Sequence, residues 1–436
     1  MKKRLIVDGL MLKREDDKPF PWLADTAWEL FHRYSPDDAS KYLKTRARQN
    51  FNVIQAVLLA EEDGLRTPNR LGHLPFSNLN TLKPEEGYWK HVDNIVALAN
   101  SMGLVMALLP TWGDKVTPMW GVGPKIFNPS NACTYGRWIG KRYREADVVW
   151  VIGGDRPVNT QEDLEVWRAM AEGIKESVGD AHLLTFHPSG RQSSATFVHD
   201  EKWLDFNMIQ SGHCGRDFPV GEMIKRELEL MPPKPVLDGE SNYEDHPVMA
   251  SHDDLYIRSG EYFGAFDVRK SFYRSILAGA CGFTYGCHSV WQGWDPATFE
   301  PINAPLKPAM QSLELDGASQ LQIGQSFLSN LLSAGGVKAN DGILAGAGLP
   351  AHRKMASCLF KTGLAVYTPV RQNIILRHRG FGFQYEEKFA RWMETASGMV
   401  LPAKAQETGI STIRFVPPHD GDWVLHIATS ANAALD

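Results

Sequence analysis

Residues 148–157 read VVWVIGGDRP, an apolar run that gives way at once to glycine and charged residues. The run lacks the strict alternation of a half-exposed strand, so it is typical of a strand buried on both faces in a parallel sheet. Seven further apolar runs recur at 21–24, 52–59, 104–109, 182–186, 206–211, 235–240 and 281–287. Together these runs predict eight strands of one parallel sheet.

Helical segments lie between most of these runs. Ser35-Pro36 combines a capping residue with proline at the first helical position, and the helix is predicted to run towards Asn50. Residues 84–102 carry an apolar face and stop at a glycine, and residues 160–178 stop in the same way after a Thr-x-x-Asp start. Strands that alternate with helices favour a (β/α)8 barrel, the TIM-barrel fold. A doubly wound sheet is the alternative, but no GxGxxG or Walker motif follows any strand.

The pattern changes after about residue 330. Short strand-like runs follow, among them SCLFKTGLAVYTP, NIILRH and DWVLHIA, with Gly, Pro and Asn between them. Such spacing is typical of an antiparallel β-sandwich. We therefore expect a barrel domain at 1–332 and a C-terminal β-sandwich domain at 333–436. Within the first domain, residues 1–18 are expected to form a hairpin or a strand added to one of the domains.

Composition argues against several classes of function. The 436 residues carry 46 Lys and Arg against 51 Asp and Glu, a net charge of −5, which argues against a nucleic-acid partner. No run of about 18 apolar residues is present, so no membrane span is expected. The basic and apolar start MKKRLIVDGLML is interrupted at Asp8, which predicts a cytoplasmic chain as it stands, or an exported one if a leader has been removed. The five cysteines are odd in number and lack a CxxC pair, which favours buried thiols.

Polar and aromatic side chains follow the predicted strands, where the chemistry of a (β/α)8 barrel lies. Asp155 follows the fourth strand and Glu240 the seventh, which places two carboxyl groups on opposite sides of the barrel mouth. Glycoside hydrolysis needs such a pair, one to protonate the leaving oxygen and one across the anomeric carbon. The two residues are therefore the candidate catalytic pair. Taken singly, Asp155 also fits a turn or a helix cap, and Glu240 an ordinary loop carboxylate.

A pocket for a polyhydroxylated ligand combines aromatic rings, which stack on sugar C–H faces, with side chains that bind hydroxyl groups. The other strand ends supply both kinds. The candidate substrate-binding residues are Trp22, Asp25, Trp28, Trp112, His187, Gln210, His213, Tyr243, His288, Trp291 and Gln292. Asp25 fits equally well as the partner of an arginine, and most of the tryptophans fit core packing.

Two further classes of function stay open at this point. His187, His213 and His288 would suffice as the protein ligands of a catalytic zinc ion, although no His-x-His pair follows the first strand. Hydrogen bonds to hydroxyl groups are the favoured interpretation of these residues, so no metal and no cofactor are expected. A non-catalytic glycan-binding protein would use the same aromatic mouth. The expected partner is an oligosaccharide or polysaccharide, and the sequence indicates no particular oligomeric state.

Several segments resemble one family of enzymes. They are FPWLADTAWELFHRYSPDDASKYLKTRARQNFNVIQ, VVWVIGGDRP, TFHPSGRQSS, MIQSGH, LDGESNYED and YGCHSVWQ. Together they resemble the apiosidase-like glycoside hydrolases (family 140) from about residue 5 to about residue 330, and the tail RFVPPHDGDWVLHIA is similar to that family's C-terminal domain.

The resemblance implies a (β/α)8 barrel with a C-terminal β-sandwich. It also implies cleavage of apiose-linked side chains from the pectic polysaccharide rhamnogalacturonan II. The family's catalytic pair matches Asp155 in GGDRP and Glu240 in GES. Many other barrel glycosidases have Asn-Glu after the fourth strand where this chain has Gly-Asp. Because aspartate is one methylene group shorter than glutamate, its carboxyl group lies closer to the backbone.

Overall fold

The computed structural model describes residues 4–252, 255–346, 348–377, 386–408, 411–430 and 435. The described chain begins with an antiparallel hairpin of β1 (Leu5–Asp8) and β2 (Met11–Arg14). Leu5 and Leu12 of this hairpin belong to the same apolar cluster as the side chains inside the barrel. Arg14 also forms two 3.0 Å hydrogen bonds with the carboxylate of Asp147, which directly precedes the fourth barrel strand. The hairpin therefore covers the end of the barrel where the strands begin.

All eight predicted strands form, and they belong to one parallel sheet. They are β3 (Trp22–Thr26), β4 (Val53–Val57), β5 (Val105–Leu109), β6 (Val148–Gly153), β7 (Leu184–His187), β8 (Asn207–Gln210), β9 (Val236–Glu240) and β12 (Gly282–Tyr285). The intervening strands β10 (Pro247–His252) and β11 (Leu255–Tyr262) form a separate antiparallel hairpin. The strands pair in the order β7-β6-β5-β4-β3-β12-β9-β8. The hydroxyl of Thr185 in β7 donates to the carbonyl of Phe206, which directly precedes β8 (2.7 Å), and this contact brings the two ends of the sheet together. The predicted (β/α)8 barrel is therefore confirmed.

Helices surround this sheet. They are α1 (Pro36–Arg48), α2 (Glu86–Ser101), α3 (Pro129–Tyr143), α4 (Gln161–Val178), α5 (Ala195–Val198), α6 (Val220–Leu228), α7 (Ala265–Leu277), α8 (His288–Trp291) and α9 (Asp316–Ser333). The predicted caps are present: the hydroxyls of Ser35 and Thr160 each accept a 3.1 Å hydrogen bond from the backbone N–H three residues later.

Strand β5 shows why the barrel strands carry continuous apolar runs. Val105, Ala107 and Leu109 belong to the cluster inside the barrel, whereas Met106 and Leu108 pack in the layer between sheet and helices. Both faces are fully buried, so both sets of positions are apolar. Polar side chains are consequently concentrated where the strands end.

A second domain follows α9. Its described strands are β13 (Lys338–Ala339), β14 (Ala356–Phe360), β15 (Gly363–Thr368), β16 (Ile374–Arg377), β17 (Ala390–Glu394), β18 (Val400–Pro402), β19 (Glu407–Thr408), β20 (Thr412–Phe415) and β21 (Trp423–Ala428). They form two antiparallel sheets, ordered β13-β14-β15-β21-β17-β18 and β16-β20-β19. Apolar side chains from both sheets meet in one cluster that includes Trp392 and Trp423. This arrangement is the predicted β-sandwich.

The cysteines and the hydropathy of the helices add two facts. Cys281, Cys287 and Cys358 are buried, and burial raises the pKa of each thiol to about 12. These three thiols therefore stay protonated and inert at neutral pH. In the part of the chain that the structure describes, no helix is both long enough and apolar enough to cross a membrane.

Helix α7 of the barrel packs against the sandwich. The rings of Tyr273 and Tyr367 stack with centroids 5.2 Å apart. Beside them, the guanidinium of Arg269 donates two hydrogen bonds to the carboxylate of Asp422, of 2.7 and 3.1 Å. Both charged side chains are buried, and Asp422 also accepts from the hydroxyl of Thr395. The two domains are thus joined by an apolar contact with a buried ion pair at its edge.

Substitution of Asp422 by Ala tests this junction. Arg269 would keep its charge in a buried position without its carboxylate partner, so we expect the free energy of unfolding to fall by about 3–5 kcal/mol. The measurement is urea-induced unfolding. As a control, Glu176→Ala removes an exposed ion pair with Arg137 and should cost less than about 1 kcal/mol. A loss no greater for Asp422→Ala than for Glu176→Ala would contradict the structural role of the buried pair.

Candidate active site

Glu240 is the last residue of β9, and its side chain is only 6% exposed. Each of its carboxylate oxygens meets a different imidazole. Oε2 lies 2.9 Å from Nε2 of His187, which ends β7, and Oε1 lies 3.0 Å from Nε2 of His213, which follows β8. Neighbouring strands therefore deliver two rings to one carboxylate.

Backbone groups fix the proton on each of these rings. The N–H of Asp155 donates to Nδ1 of His187, and the N–H of Tyr243 donates to Nδ1 of His213, each at 3.3 Å. A ring nitrogen that accepts a hydrogen bond carries no proton, so each neutral ring has its proton on Nε2. The Nε2–H of His213 therefore donates to Oε1 of Glu240, whereas Nε2 of His187 makes a 2.9 Å contact with Oε2 that lacks hydrogen-bond geometry.

These two imidazoles decide the charge of Glu240. Burial opposes ionisation of the carboxyl group, but the close contacts with His187 and His213 outweigh it and hold the pKa of Glu240 well below its usual range. Glu240 is therefore ionised at neutral pH, with its oxygens held in a fixed orientation.

Asp155 follows β6 through a turn that only glycine can form. A Cβ atom on Gly153 would lie 2.4 Å from the carbonyl oxygen of His187, and one on Gly154 would lie 2.8 Å from the backbone nitrogen of Gly113. Asp155 itself has a φ of +49°, in the left-handed region that residues other than glycine rarely adopt. Such backbone strain is concentrated at functional sites. The turn brings Asp155 to the end of β7, beside His187.

The carboxyl group of Asp155 has a different environment from that of Glu240. Its side chain is 22% exposed, its Oδ2 accepts a 3.0 Å hydrogen bond from the indole N–H of Trp120, and Nη1 of Arg156 lies 3.4 Å away. Burial and the charge of Glu240 raise the pKa of Asp155, and Arg156 offsets only part of this effect. The two carboxyl groups therefore share His187 as a neighbour, while their pKa values are shifted in opposite directions.

Aromatic rings pack against the imidazole of His187, which contacts Glu240. The ring centroids of Trp28 and Trp112 lie 5.1 Å from each other, and 5.5 and 5.8 Å from that of His187. The indole N–H of Trp28 donates to the hydroxyl of Tyr243 (2.9 Å). These rings form an apolar wall beside the charged pair.

Several buried polar atoms of this region lack a hydrogen-bond partner among the residues that the structure describes. Besides Nε2 of His187 and Oε2 of Glu240, which contact each other, they include Nε1 of Trp112 and Oε1 of Gln210. Trp112 and Gln210 are each 4% exposed, and a buried polar atom left unpaired costs about 1–3 kcal/mol. Gln210 ends β8 and pairs with Glu240 in the sheet register. One donor and one acceptor are thus free to bind hydroxyl groups of a ligand.

Residues 7–333 match the family model described as "Apiosidase-like, catalytic domain". The chain belongs to this family. Two solved structures are similar at 27% sequence identity. The first is a glycoside hydrolase with a TM-score of 0.86, and the match covers 98% of this chain and 97% of that one. The second is a family 5 glycoside hydrolase from Bacteroides vulgatus with a TM-score of 0.85, and the match covers 98% of this chain and 93% of that one. A comparison with curated proteins gave no match. The protein is therefore a barrel glycoside hydrolase with a carbohydrate substrate.

Trp22 and Asp25 do not take the positions predicted for substrate-binding residues of this glycoside hydrolase. Trp22 begins β3, and its ring packs inside the barrel 6.0 Å from that of Phe206, near the end covered by the hairpin. Asp25 faces the helices, where its Oδ2 accepts from Nε of Arg46 (2.6 Å) and the hydroxyl of Tyr42 (2.7 Å). Asp25 thus holds an arginine, the alternative interpretation of the sequence. Neither residue contacts the carboxylate pair.

Three of the predicted substrate-binding residues, His288, Trp291 and Gln292, follow β12 and form a hydrogen-bonded unit. The indole N–H of Trp291 donates to Nδ1 of His288 (3.1 Å), so the ring proton lies on Nε2, which faces the carbonyl of Asn303 at 3.1 Å. The amide of Gln292 donates to the carbonyls of His288 and Ile302 at 2.9 and 3.1 Å. His288 and Gln292 therefore hold a loop instead of offering groups to substrate. Trp291 is half-buried and packs against the cluster inside the barrel.

The geometry of the histidines bears on the zinc interpretation. In the described ranges, no group of three His, Cys, Asp or Glu side chains is arranged to hold a metal ion. His187 and His213 share Glu240, whereas both ring nitrogens of His288 have protein partners. The three imidazoles do not converge on one point.

Three residues that contact Asp155 or its neighbours were not predicted from the sequence. Nη2 of Arg156 donates to Oε1 of Glu61 at 2.8 Å, and burial raises the pKa of Glu61 to about 7. Trp120 donates to Asp155 directly. Two features of the sequence could have identified Glu61 and Trp120 as site residues. Glu61 follows the second predicted strand, and Trp120 lies in a segment rich in glycine and proline, where a core tryptophan is uncommon.

Substitution of His213 by Ala tests how Glu240 is kept ionised. Loss of the Nε2–H donor should raise the pKa of Glu240 towards the ordinary glutamate value of about 4.3. The pKa is measured by carbon-13 NMR of the labelled carboxyl groups, with Glu240→Gln to assign the signal. His419→Ala, an exposed histidine of the sandwich, serves as the control. An unchanged pKa of Glu240 in His213→Ala would show that the imidazole is not the cause.

Proposed function

We propose that the protein hydrolyses a glycosidic bond with Asp155 as general acid and base and Glu240 as nucleophile. The observation that carries the proposal is the arrangement around His187. Its Nδ1 accepts from the N–H of Asp155 at 3.3 Å, and its Nε2 lies 2.9 Å from Glu240. The pKa of one carboxyl group is lowered and that of the other is raised, beside the same ring. A retaining glycosidase needs an ionised nucleophile and a protonated acid, and these opposite shifts act in that direction.

In the first step, the ionised Glu240 attacks the anomeric carbon while Asp155 gives its proton to the leaving oxygen. The bond to the leaving group breaks as the bond to Glu240 forms, which gives a covalent ester. Burial and the charge of Glu240 together raise the pKa of Asp155, and ester formation removes the second of these causes, so this pKa falls and Asp155 can act as a base. It then takes a proton from water, whose oxygen displaces Glu240 and restores the original configuration.

The same pocket offers groups for the rest of the sugar. The free N–H of Trp112 is a donor for one hydroxyl, and the free Oε1 of Gln210 is an acceptor for another. The half-buried ring of Trp291 offers apolar surface for a C–H face, and the buried ring of Trp28 packs on Trp112 and His187. His213 and Tyr243 contribute by orienting Glu240 and Trp28.

We further propose that the substrate is an apiose-containing oligosaccharide of the pectic type. The support is the apiosidase-like family to which residues 7–333 belong, together with the unpaired indole N–H of Trp112 and amide oxygen of Gln210, which suit a neutral sugar. The test is incubation with fragments of rhamnogalacturonan II, with the products identified by mass. Release of fragments cleaved at an apiosyl linkage would support the proposal. Substrate that is bound but never cleaved would instead indicate a glycan-binding role.

Substitution of either carboxyl group should abolish turnover. For Asp155→Asn and Glu240→Gln we expect kcat/KM to fall roughly 1000-fold or more, since each removes a group that bonds or protonates in the transition state. Thermal unfolding should show folded protein in both cases. Glu165→Gln, on the exposed face of α4, is the matched control and should keep full activity. Near-normal turnover by Glu240→Gln would rule out its role as nucleophile.

The pH profile tests the network behind the acid. Glu61 shares the charge of Arg156 with Asp155, so Glu61→Gln leaves the positive charge to act on Asp155 alone. The pKa of Asp155 should then fall. The alkaline limb of the pH profile of kcat/KM, which reports deprotonation of the acid, should move to lower pH. Glu62→Gln is the control, because Glu62 lies 3.6 Å from Arg33 instead. A limb that stays in place in Glu61→Gln, or moves equally in both variants, would contradict the network.

A further inference from the structure

The segment between β5 and α3 exposes apolar side chains at the mouth of the barrel. Residues 117–124 read TPMWGVGP, and Met119, Trp120 and Val122 are 52%, 46% and 45% exposed. Adjacent apolar side chains that remain exposed on a folded protein often mark a binding surface. We call these three side chains the apolar rim.

Buried charged groups anchor the backbone of this segment. Nη2 of Arg156 donates to the carbonyl of Trp120 at 2.5 Å, and the backbone N–H of Gly123 donates to Oδ2 of Asp114 at 2.7 Å. Gly121 packs so closely that a Cβ atom there would lie 2.7 Å from the same guanidinium. The apolar rim is therefore presented by a fixed backbone.

The ring of Trp120 has one covered face. The guanidinium of Arg156 lies over it, 4.3 Å from the ring centroid. Because the indole is still 46% exposed, its accessible area is the opposite face and the edge. The indole N–H is bonded to Oδ2 of Asp155 at 3.0 Å. An open aromatic face thus lies directly beside the proposed acid.

The position of the acid determines what reaches this face. A general acid protonates the oxygen of the leaving group, so the surface next to it meets the leaving group and not the sugar that bonds to the nucleophile. We infer that the apolar rim is a binding site for the leaving-group sugar, whose ring stacks on Trp120. This inference rests on the roles proposed for Asp155 and Glu240. On this inference, stacking on Trp120 makes the enzyme prefer substrates whose leaving group presents the face of a sugar ring.

The test compares two probes with different leaving groups. A rhamnogalacturonan II fragment has a sugar leaving group, whereas apiosyl fluoride loses only a fluoride ion and cannot occupy the rim. We expect Trp120→Ala to lower kcat/KM for the fragment roughly tenfold more than for the fluoride. Trp120→Phe keeps a ring face without the N–H group, and it should recover most of this difference.

Two variants and the wild type distinguish the possible failures. Met231→Ala removes an exposed apolar side chain in the loop between α6 and β9, at the opposite end of the barrel, and should change neither rate. Equal losses on both probes in Trp120→Ala would overturn the binding site, and so would a Trp120→Phe variant as impaired as Trp120→Ala. A wild-type enzyme that cleaves neither probe would overturn the proposed function, and the inference with it.

Discussion

The imidazole of His187 is the element on which the active site depends. It accepts a hydrogen bond from the backbone of Asp155 on one nitrogen, and therefore faces Glu240 with an N–H group on the other. This arrangement couples the position of one carboxyl group to the charge of the other. Loss of the backbone donor would free the ring to place its proton on Nδ1, and the contact with Glu240 would then lose its N–H group.

The barrel supplies the constraints that hold this ring in place. His187 is fully buried between the ends of neighbouring strands, and the glycine pair before Asp155 allows the backbone to approach it closely. Trp28 and Trp112 pack on the same ring. Behind Asp155, the pair of Arg156 and Glu61 joins the acid to the segment that carries Trp120. Catalytic geometry and leaving-group surface are thus parts of one network.

Local features of the sequence sufficed to predict much of this. Apolar runs and capping residues mark the barrel strands and the helix starts, and convergence of the strand ends brings His187, His213 and Glu240 together. Trp22 and Asp25 were misplaced because a strand buried on both faces carries no polar alternation that tells inside from outside. Glu61 and Trp120 were missed because their positions depend on Arg156, a contact distant in sequence.

The role of Glu240 as nucleophile is tested most directly by trapping the covalent ester. A 2-deoxy-2-fluoro apiosyl fluoride slows both steps, because fluorine destabilises the positively charged transition state, while fluoride remains a good leaving group for the first. Mass analysis of the digested protein should find the added sugar on the peptide that contains Glu240. A label on a peptide without Glu240, or turnover with inversion and no covalent adduct, would contradict the proposed mechanism.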